Sequence, residues 1–334
     1  MHRLIGLPAR RAPRRYAAVP TVAALVLALG SPSTAMGQGT LSREGALFLL
    51  VPIGARTVGA GQAAVAAPSG SEGLWWNPAS LARLDKTEVS LSHSQNIVGT
   101  GDALTVVWPA GRAGVLAVGA YQFTTGPQDA TDQYGVTGTL NPRDLVLVAS
   151  YSATFGARVS AGLAFKFLQD RLDCTCGIPT QTASTNALDA GLQAVVDGAR
   201  RVTIGVALRN LGPRLQFNDN SQADPLPTRL HFGAQYRVPA VERSLPGGEL
   251  RVAAEVVARV ALADPSFRAG GEFTYKQQYF LRAGFVGGSG DAAGAAIGLG
   301  FARGGIAMDF ARAFGGFSSD QGQPPTYLTL RFRF

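Results

Sequence analysis

Residues 200–209 read RRVTIGVALR and alternate strictly in character. Branched apolar residues occupy the even positions from 202 to 208. Threonine, glycine, alanine and arginine occupy the odd positions from 203 to 209. A period of two places successive side chains on opposite faces of a β-strand. The stretch therefore predicts a strand with one apolar face and one small or polar face.

The same alternation recurs from residue 87 onward. Residues 228–238 alternate in this way, and the last residues, 327–334, read YLTLRFRF. Such segments, separated by turn residues, predict 14 strands. They lie near residues 87–96, 102–109, 113–124, 143–155, 158–170, 185–197, 200–210, 226–238, 248–259, 266–276, 278–287, 293–302, 304–314 and 326–334.

The connections between the predicted strands alternate between tight turns and longer loops. Two connections depart from the rule, because 97–101 is short and 239–247 is long. Short turns at one end and long loops at the other are typical of an up-and-down antiparallel barrel. The tight turns lie at 111–112, 156–157, 198–199, 276–277 and 304, and the longer loops at 125–142, 171–184, 211–225, 260–265, 288–292 and 315–325.

Two architectures can use such strands. A soluble β-sandwich hydrates its polar face, whereas a transmembrane barrel turns its apolar face to lipid and its polar face to the lumen. The polar face is rich in glycine and alanine, which suits a crowded lumen. Aromatic residues near strand ends suit the membrane interface. We assign six of them to the lipid face, the outward apolar side of the strands: Trp108, Tyr121, Phe123, Tyr151, Tyr275 and Tyr279.

The sequence ends in RFRF, which resembles the C-terminal signal of outer-membrane proteins that the barrel-assembly machinery reads. With the strand pattern, this ending favours the membrane architecture. We therefore predict an all-β fold, a 14-stranded antiparallel transmembrane β-barrel over residues 87–334. The predicted location is the outer membrane of a Gram-negative-type bacterium, where lipid surrounds the barrel.

Residues 1–35 have the features of a secretory signal peptide. Five arginines precede an apolar stretch at 17–30, and small residues follow it. An uncleaved membrane anchor is the alternative. Removing this segment lowers the formal net charge from +8 to about +3, since 8 − 5 = 3. The basic composition is then mostly a targeting feature, and we expect no nucleic-acid partner.

Residues 36–86 fit no lipid-facing strand. Gly59 and Gly61 begin a G-x-G-x-x-A sequence, which is a dinucleotide-binding pattern only within a βαβ unit. No such unit is predicted, so we interpret these glycines as sites of tight turns and close backbone contact. Two tryptophans, Trp75 and Trp76, then run into Asn77, Pro78 and Ala79.

Residues 54–93, which contain this Asn-Pro-Ala sequence, resemble the N-terminal signature of the PorV/PorQ family of outer-membrane proteins. That family belongs to the wider FadL-like group of 14-stranded barrels. The resemblance implies that residues 36–86 form a small hatch inside the barrel. We expect Trp75 and Trp76 to pack on the lumen wall, and Asn77 to bond its own backbone two residues on. A fixed plug and a moving hatch are equally compatible with the sequence.

Charged residues collect on the face that we assign to the lumen. Opposite charges on neighbouring strands usually pair, and the alternative is that surplus arginine binds an anionic group of an amphipathic ligand. The candidate lumen residues are Arg209, Arg229, His231, Arg237, Arg251, Glu255, Arg268, Glu272, Arg282 and Asp309. The same face carries Lys166, Asp189, Arg331 and Arg333.

The sequence predicts no catalytic, cofactor or metal site. No serine stands in a G-x-S-x-G sequence and no histidine pair has metal spacing, so we expect no enzyme, no cofactor and no metal. The two cysteines, Cys174 and Cys176, are too few for a disulfide framework. In an oxidising compartment they can form a loop disulfide or cross-link to another molecule.

Two functions follow from the resemblance. In the first, the barrel passively binds and transports a hydrophobic or amphipathic small molecule through its hatch-gated lumen. In the second, it is an accessory protein similar to those of type IX secretion, and its extracellular loops bind a secreted protein cargo. The first is the primary expectation, because the Asn-Pro-Ala hatch is the feature shared across the wider group.

Overall fold

The structure is a computed structural model that describes residues 44–67, 70–177, 179–217, 223–260, 264–288, 293–315 and 322–334. The predicted signal peptide, 1–35, and the first residues of the predicted hatch, 36–43, lie outside the described residues.

The strands form one antiparallel sheet that closes on itself. Within the described residues, strand β1 (Glu88–Gln95) pairs with β15 (Thr326–Arg333), and β3 (Val115–Thr124) pairs with β5 (Gly135–Phe155), so that 14 strands complete the barrel. The remaining described strand, β4 (Gln128–Asp132), pairs with β5 alone. This closure confirms the predicted fold. The strands are β1 Glu88–Gln95, β2 Thr100–Pro109, β3 Val115–Thr124, β4 Gln128–Asp132, β5 Gly135–Phe155, β6 Val159–Cys174, β7 Gln181–Val195, β8 Val202–Leu211, β9 Arg229–Arg237, β10 Gly248–Arg259, β11 Ser266–Tyr275, β12 Tyr279–Gly287, β13 Gly294–Arg303, β14 Ile306–Phe314 and β15 Thr326–Arg333.

The prediction of a long loop at 125–142 is wrong in part. The structure has β4 and the first residues of β5 there, as a hairpin that extends beyond the barrel strands on either side. Apart from the buried Ala130, most of its residues are polar or exposed on both faces, so the alternation that marks a half-buried strand is weak. Backbone hydrogen bonds form this hairpin, so the polarity of its side chains does not reveal the two strands.

The outward face of the barrel is apolar, as predicted. Leu163, Leu299 and Phe285 are each more than half exposed there, and Trp108 and Tyr279 are exposed near the tight-turn end. Tyr121 and Phe123 are different, because they are buried and point into the lumen. Our assignment of these two to the lipid face was wrong. On β3 both faces are apolar, since the inner face packs against the hatch, and polarity alone does not separate the two faces.

Residues 44–86, called the hatch below, line the interior as short helices. Helices α1 (Ala55–Gly59) and α2 (Gly73–Trp76) are joined by turns, and 3₁₀ helices span Leu47–Leu50, Gly70–Glu72 and Pro78–Arg83. A further 3₁₀ helix, Gly111–Ala113, and helix α3, Pro239–Ser244, lie at the tight-turn end. No helix in the described parts of the chain is long and apolar enough to cross a membrane.

Candidate functional site

The hatch backbone rests directly on inward-facing glycines of the barrel wall. A Cβ atom added to Gly162 would lie 2.5 Å from the carbonyl carbon of Pro78. One added to Gly205 would lie 2.1 Å from the carbonyl oxygen of Val65. Glycine permits this approach because it has no side chain. The wall glycines that contact the hatch backbone in this way are Gly162, Gly205, Gly270, Gly284 and Gly298, whereas Gly191 and Gly233 lie against the hatch side chains of Asn77 and Val65.

The two hatch glycines, Gly59 and Gly61, make the reciprocal contacts. A Cβ on Gly59 would lie 2.7 Å from the Cα of Gly298. Gly61 has a φ of +67°, and a Cβ there would lie 2.4 Å from the carbonyl oxygen of Ala269. Both positions therefore need glycine for close packing, and Gly61 also needs it for the turn. The G-x-G-x-x-A sequence thus has a packing explanation.

Asn77, Pro78 and Ala79 form a hydrogen-bonded turn against the wall. The Ala79 amide donates to Asn77 Oδ1 at 3.0 Å, which is the local bond expected of an asparagine two residues earlier. Asn77 Nδ2 donates to the carbonyl oxygen of Val65 at 2.6 Å, and Ser152 Oγ donates to that of Pro78 at 2.7 Å. Asn77 thus joins two hatch segments, and Pro78 ties the turn to β5.

The two tryptophans have different surroundings. Trp75 packs edge-on against Tyr121, and its indole nitrogen donates to Thr105 Oγ1 at 2.9 Å. Trp76 lies between two guanidinium groups, those of Arg209 and Arg268, each 5.5 Å from its ring centroid. Its indole nitrogen donates to the carbonyl oxygen of Ile53 at 2.8 Å. Both rings are buried with their polar atoms satisfied, as buried tryptophans usually are.

One half of the lumen wall is mostly apolar. Its strands are β2, β3, β5, β6 and β7, and their inward apolar side chains form a single core cluster with the hatch. The same wall holds a buried ion pair, Lys166 of β6 with Asp189 of β7 at 2.6 Å. From the hatch, Phe48, Leu49, Leu74 and Trp75 cover this wall. The cluster reaches Leu215 and Leu226, beyond the strands at the long-loop end. We call the inward apolar residues of these five strands the apolar face; they are Ala103, Val107, Val115, Ala117, Tyr121, Phe123, Val146, Val148, Ala164, Leu168, Ala183 and Ala187.

The opposite half of the wall is charged and forms an ion-pair chain. Arg56 of the hatch contacts Glu272 at 2.8 Å. Arg282 then bridges Glu272 at 2.6 Å and Asp309 at 2.7 Å, and Asp309 also contacts Arg331. Buried charges are costly unless they are paired in this way. The chain therefore ties helix α1 to β11, β12, β14 and β15.

A second group of charges lies toward the long-loop end. Arg229 donates to both carboxylate oxygens of Glu44, at 2.9 and 2.7 Å, and these bonds lower the pKa of Glu44. His231 Nδ1 lies 2.7 Å from Glu255, which Arg268 approaches at 3.7 Å.

The three remaining lumen candidates, Arg209, Arg237 and Arg251, lie outside these two groups of charges. Arg237 lies 3.9 Å from Glu242, and Arg251 pairs with Glu249. Arg209 has the indole of Trp76 as its partner, and no carboxylate of the described chain is within ion-pair distance of it.

Three acids and bases of the hatch that are buried or partly buried were absent from our sequence-based set: Glu44, Arg56 and Glu72. Glu72 accepts hydrogen bonds from the amide and hydroxyl of Thr57, at 2.9 and 2.6 Å, and burial raises its pKa. An ionisable residue in a segment otherwise rich in small and apolar residues is a signal that could have identified all three.

The cysteines lie at the long-loop end and join to each other. Cys174 and Cys176 form a disulfide where β6 ends. Thr175 between them donates its amide to the carbonyl of Thr139 in β5 at 3.0 Å. The described residues contain no cluster of three or more side chains suited to a metal ion.

A small cavity of about 40 Å³ lies between the hatch and β9, β10 and β11. Hatch alanines, including Ala60 and Ala63, form one side, and Gln235 and Ala253 lie on the other. A volume of this size holds roughly three waters, whereas ligand pockets usually reach roughly 300 Å³ or more. This cavity is therefore too small for a ligand of ordinary size.

Solved structures with the same architecture were found. No protein-family model and no curated protein sequence matches the chain. The CymD monoaromatic hydrocarbon channel has 14% identity and a TM-score of 0.58, covering 85% of this chain and 98% of that one. The chain has the FadL-like barrel fold.

Two further structures agree. The toluene transporter TbuX of Ralstonia pickettii has 14% identity, a TM-score of 0.55, and coverage of 84% of this chain and 98% of that one. A Pseudomonas aeruginosa FadL homologue has 12% identity, a TM-score of 0.51, and coverage of 85% and 98%. At these identities the similarity concerns the fold, and PorV/PorQ membership stays a resemblance over residues 54–93.

Proposed function

We propose that this protein is a non-enzymatic outer-membrane barrel that passively transports a hydrophobic or amphipathic molecule. The closed barrel with an apolar outer face supports the membrane location, because it leaves no unpaired strand edge to lipid. The toluene transporter and the hydrocarbon channel with this fold support the transport role.

The apolar face of the lumen carries the proposal. A barrel that conducts ions or sugars needs a polar lumen, whereas this wall buries aliphatic and aromatic side chains against the hatch. Displacing Phe48, Leu49 and Trp75 would expose the apolar residues of this wall, a surface of the kind that accepts a hydrocarbon. Leu47 and Leu50 of the hatch are 57% and 42% exposed and offer a first apolar contact.

A reversible lock on the hatch tests this mechanism. Ser71 of the hatch and Ser90 of β1 have their hydroxyl oxygens 2.9 Å apart, so cysteines at these positions can form a disulfide. Trp75, which covers the apolar face, lies four residues after Ser71. We expect cells that carry the oxidised Ser71→Cys/Ser90→Cys protein to lose uptake of labelled toluene or palmitate, and a reductant to restore it.

The single variants Ser71→Cys and Ser90→Cys are the matched controls, and both should transport with or without reductant. If the oxidised double variant takes up both probes at the wild-type rate, the hatch does not gate transport. The membrane location is tested separately. Fractionation with soluble proteins, and identical migration with and without boiling, would contradict it.

A second function is favoured by the β4–β5 hairpin. Strand β4 pairs on one side only, and Tyr134 at its tip is 88% exposed. An unpaired strand edge can accept a strand of another protein. We propose secreted-protein cargo, as in type IX secretion, as the alternative ligand of this hairpin. Co-purification of a secreted protein that is lost when residues 128–140 are deleted would support it, and retention would argue against it.

A further inference from the structure

The tight-turn end of the barrel carries a lysine or arginine at each of its six strand connections. These connections join β2 to β3, β5 to β6, β7 to β8, β9 to β10, β11 to β12 and β13 to β14. We call these residues the basic ring: Arg112, Arg158, Arg200, Arg201, Arg243, Lys276 and Arg303.

The basic ring is exposed and lacks carboxylate partners. All seven side chains belong to exposed residues, and none forms an ion pair within the described chain. The contacts that they do make are weaker. Arg243 donates to the carbonyl of Pro239 at 3.2 Å, and the Lys276 ammonium lies 5.2 Å from the ring centroid of Tyr275. Their charges are therefore free to attract an external anion.

Four ring members lie just beyond an outward aromatic residue. Arg112 follows Trp108, and Arg158 follows Phe155, by four and three residues. Lys276 and Arg303 stand within three residues of Tyr279 and Phe301. These aromatics are 60%, 62%, 54% and 41% exposed, respectively, and aromatic side chains of this kind sit at the bilayer interface. The cations beside them then lie at the level of lipid headgroups.

The long-loop end has the opposite balance. Its exposed or half-exposed charges within the described residues are mainly acidic: Asp102, Asp129, Asp132, Asp144, Asp170, Asp173, Asp224 and Asp264, against Arg143, Arg171, Arg214, Arg259 and Arg312. The tight-turn end also carries the acids Asp85, Asp197, Glu242 and Glu249, but the seven ring residues outnumber them, so the basic excess lies at this rim.

We propose that the basic ring binds the phosphates of anionic phospholipids in the leaflet at the tight-turn end. A leaflet surrounds the whole barrel, and ring members occur on every tight connection around the circumference. A globular protein partner would instead favour a patch on one side. Clustered cations near a membrane surface are attracted to anionic headgroups, and salt weakens the attraction. The inference requires the barrel to lie in a bilayer but is independent of transport.

Spin-labelled lipids in reconstituted vesicles test the proposal. The full-length protein is placed in phosphatidylcholine vesicles with a trace of spin-labelled phosphatidylglycerol or phosphatidylcholine, and the protein-associated fraction of each is measured. At a lipid site beside one cation, phosphatidylglycerol should be favoured over phosphatidylcholine roughly fivefold. Most sites around the barrel have no such cation, so the preference averaged over all lipids in contact with the protein should be about twofold. The preference should vanish at about 1 M salt, where the Debye length is roughly 3 Å.

Two variants identify the residues responsible. In the first, Arg112, Arg158, Lys276 and Arg303 are all replaced by glutamine, and the preference should lose about half of its excess over one, because four of the seven ring charges are removed. In the second, the three arginines become lysine and Lys276 is kept, so the charge and the preference should both persist. All four positions are exposed, and heat-modified migration verifies the barrel in each variant.

Equal preference in the wild type and the glutamine variant would overturn the proposal. So would a wild type that shows no lipid preference but captures an acidic periplasmic protein that the glutamine variant loses, because the ring would then serve a protein partner. Loss of toluene uptake in the hatch-lock experiment has no bearing on either outcome.

Discussion

The contact between Gly191 and Asn77 gives the sharpest test of how the hatch is held. In a Gly191→Ala protein the added Cβ would lie 1.9 Å from Asn77 Oδ1, so the asparagine side chain must move. It then loses its bonds with the Ala79 amide and the Val65 carbonyl. Each bond contributes about 1 kcal/mol, and the buried amide of Ala79 is left without its acceptor. The Val65 carbonyl still accepts from Gln193.

The substitution should therefore weaken hatch docking by about 2–3 kcal/mol of free energy. The barrel itself should keep its stability, because its strand pairing is unchanged. Hydrogen exchange of the purified protein in detergent measures both. Amides of residues 73–84 should exchange roughly 30- to 150-fold faster, while β10–β13 keep their protection. Gly198→Ala is the control, because nothing lies within 4 Å of a Cβ at this turn.

A double-mutant cycle shows whether Asn77 is the cause. Asn77→Ala alone should also accelerate exchange, because it removes the same bonds. Adding Gly191→Ala to it should change little, since the clashing amide is already gone and the next contact, Ala79 N, lies at 3.3 Å. Additive effects of the two substitutions, or wild-type exchange in Gly191→Ala, would refute this account of the hatch.

Three more predictions concern the hatch and the β4–β5 hairpin. Trp76→Leu removes the ring that contacts two guanidinium groups and should lower the free energy of hatch docking by about 1–3 kcal/mol. Trp76→Phe should retain part of the cation–π contact, and hydrogen exchange of the hatch amides compares the two variants. The pKa of Glu44 is lowered in the folded protein, so its bond with Arg229 stabilises the docked segment fully at a pH above the ordinary carboxyl pKa of 4.5. This stabilisation is lost as the pH falls through the lower pKa that Glu44 has in the folded protein. Protection of residues 44–50 should therefore drop in acid, and Glu44→Gln should remove that pH dependence; an unchanged profile would contradict it. Replacing Cys174 and Cys176 by serine should loosen only the hairpin at 135–140, with the heat-modified barrel intact, as limited proteolysis can show.

Much of the barrel could be predicted from local pattern. The alternation in β8 predicts its two faces correctly, with Arg209 inward and Val206 outward, because a strand exposes successive side chains to different solvents. The inward charges of Glu272 and Asp309 were placed on the lumen side for the same reason. Their individual partners were not predictable, since Arg56 meets Glu272 across 216 residues of sequence.

The sequence by itself determined the strand period, the alternation of tight and long connections, and the placement of glycine on the inward face. These are local properties that the backbone geometry of each strand requires. Only the tertiary structure decided which glycines touch the hatch and that Tyr121 and Phe123 point inward. It also decided that the apolar lumen residues cluster on β2, β3, β5, β6 and β7 while the ion-pair chain from Arg56 to Arg331 lies opposite. The physical reason is that the hatch replaces water inside the barrel. The polarity of an inward position then reflects the hatch residue opposite, which lies far away in the sequence.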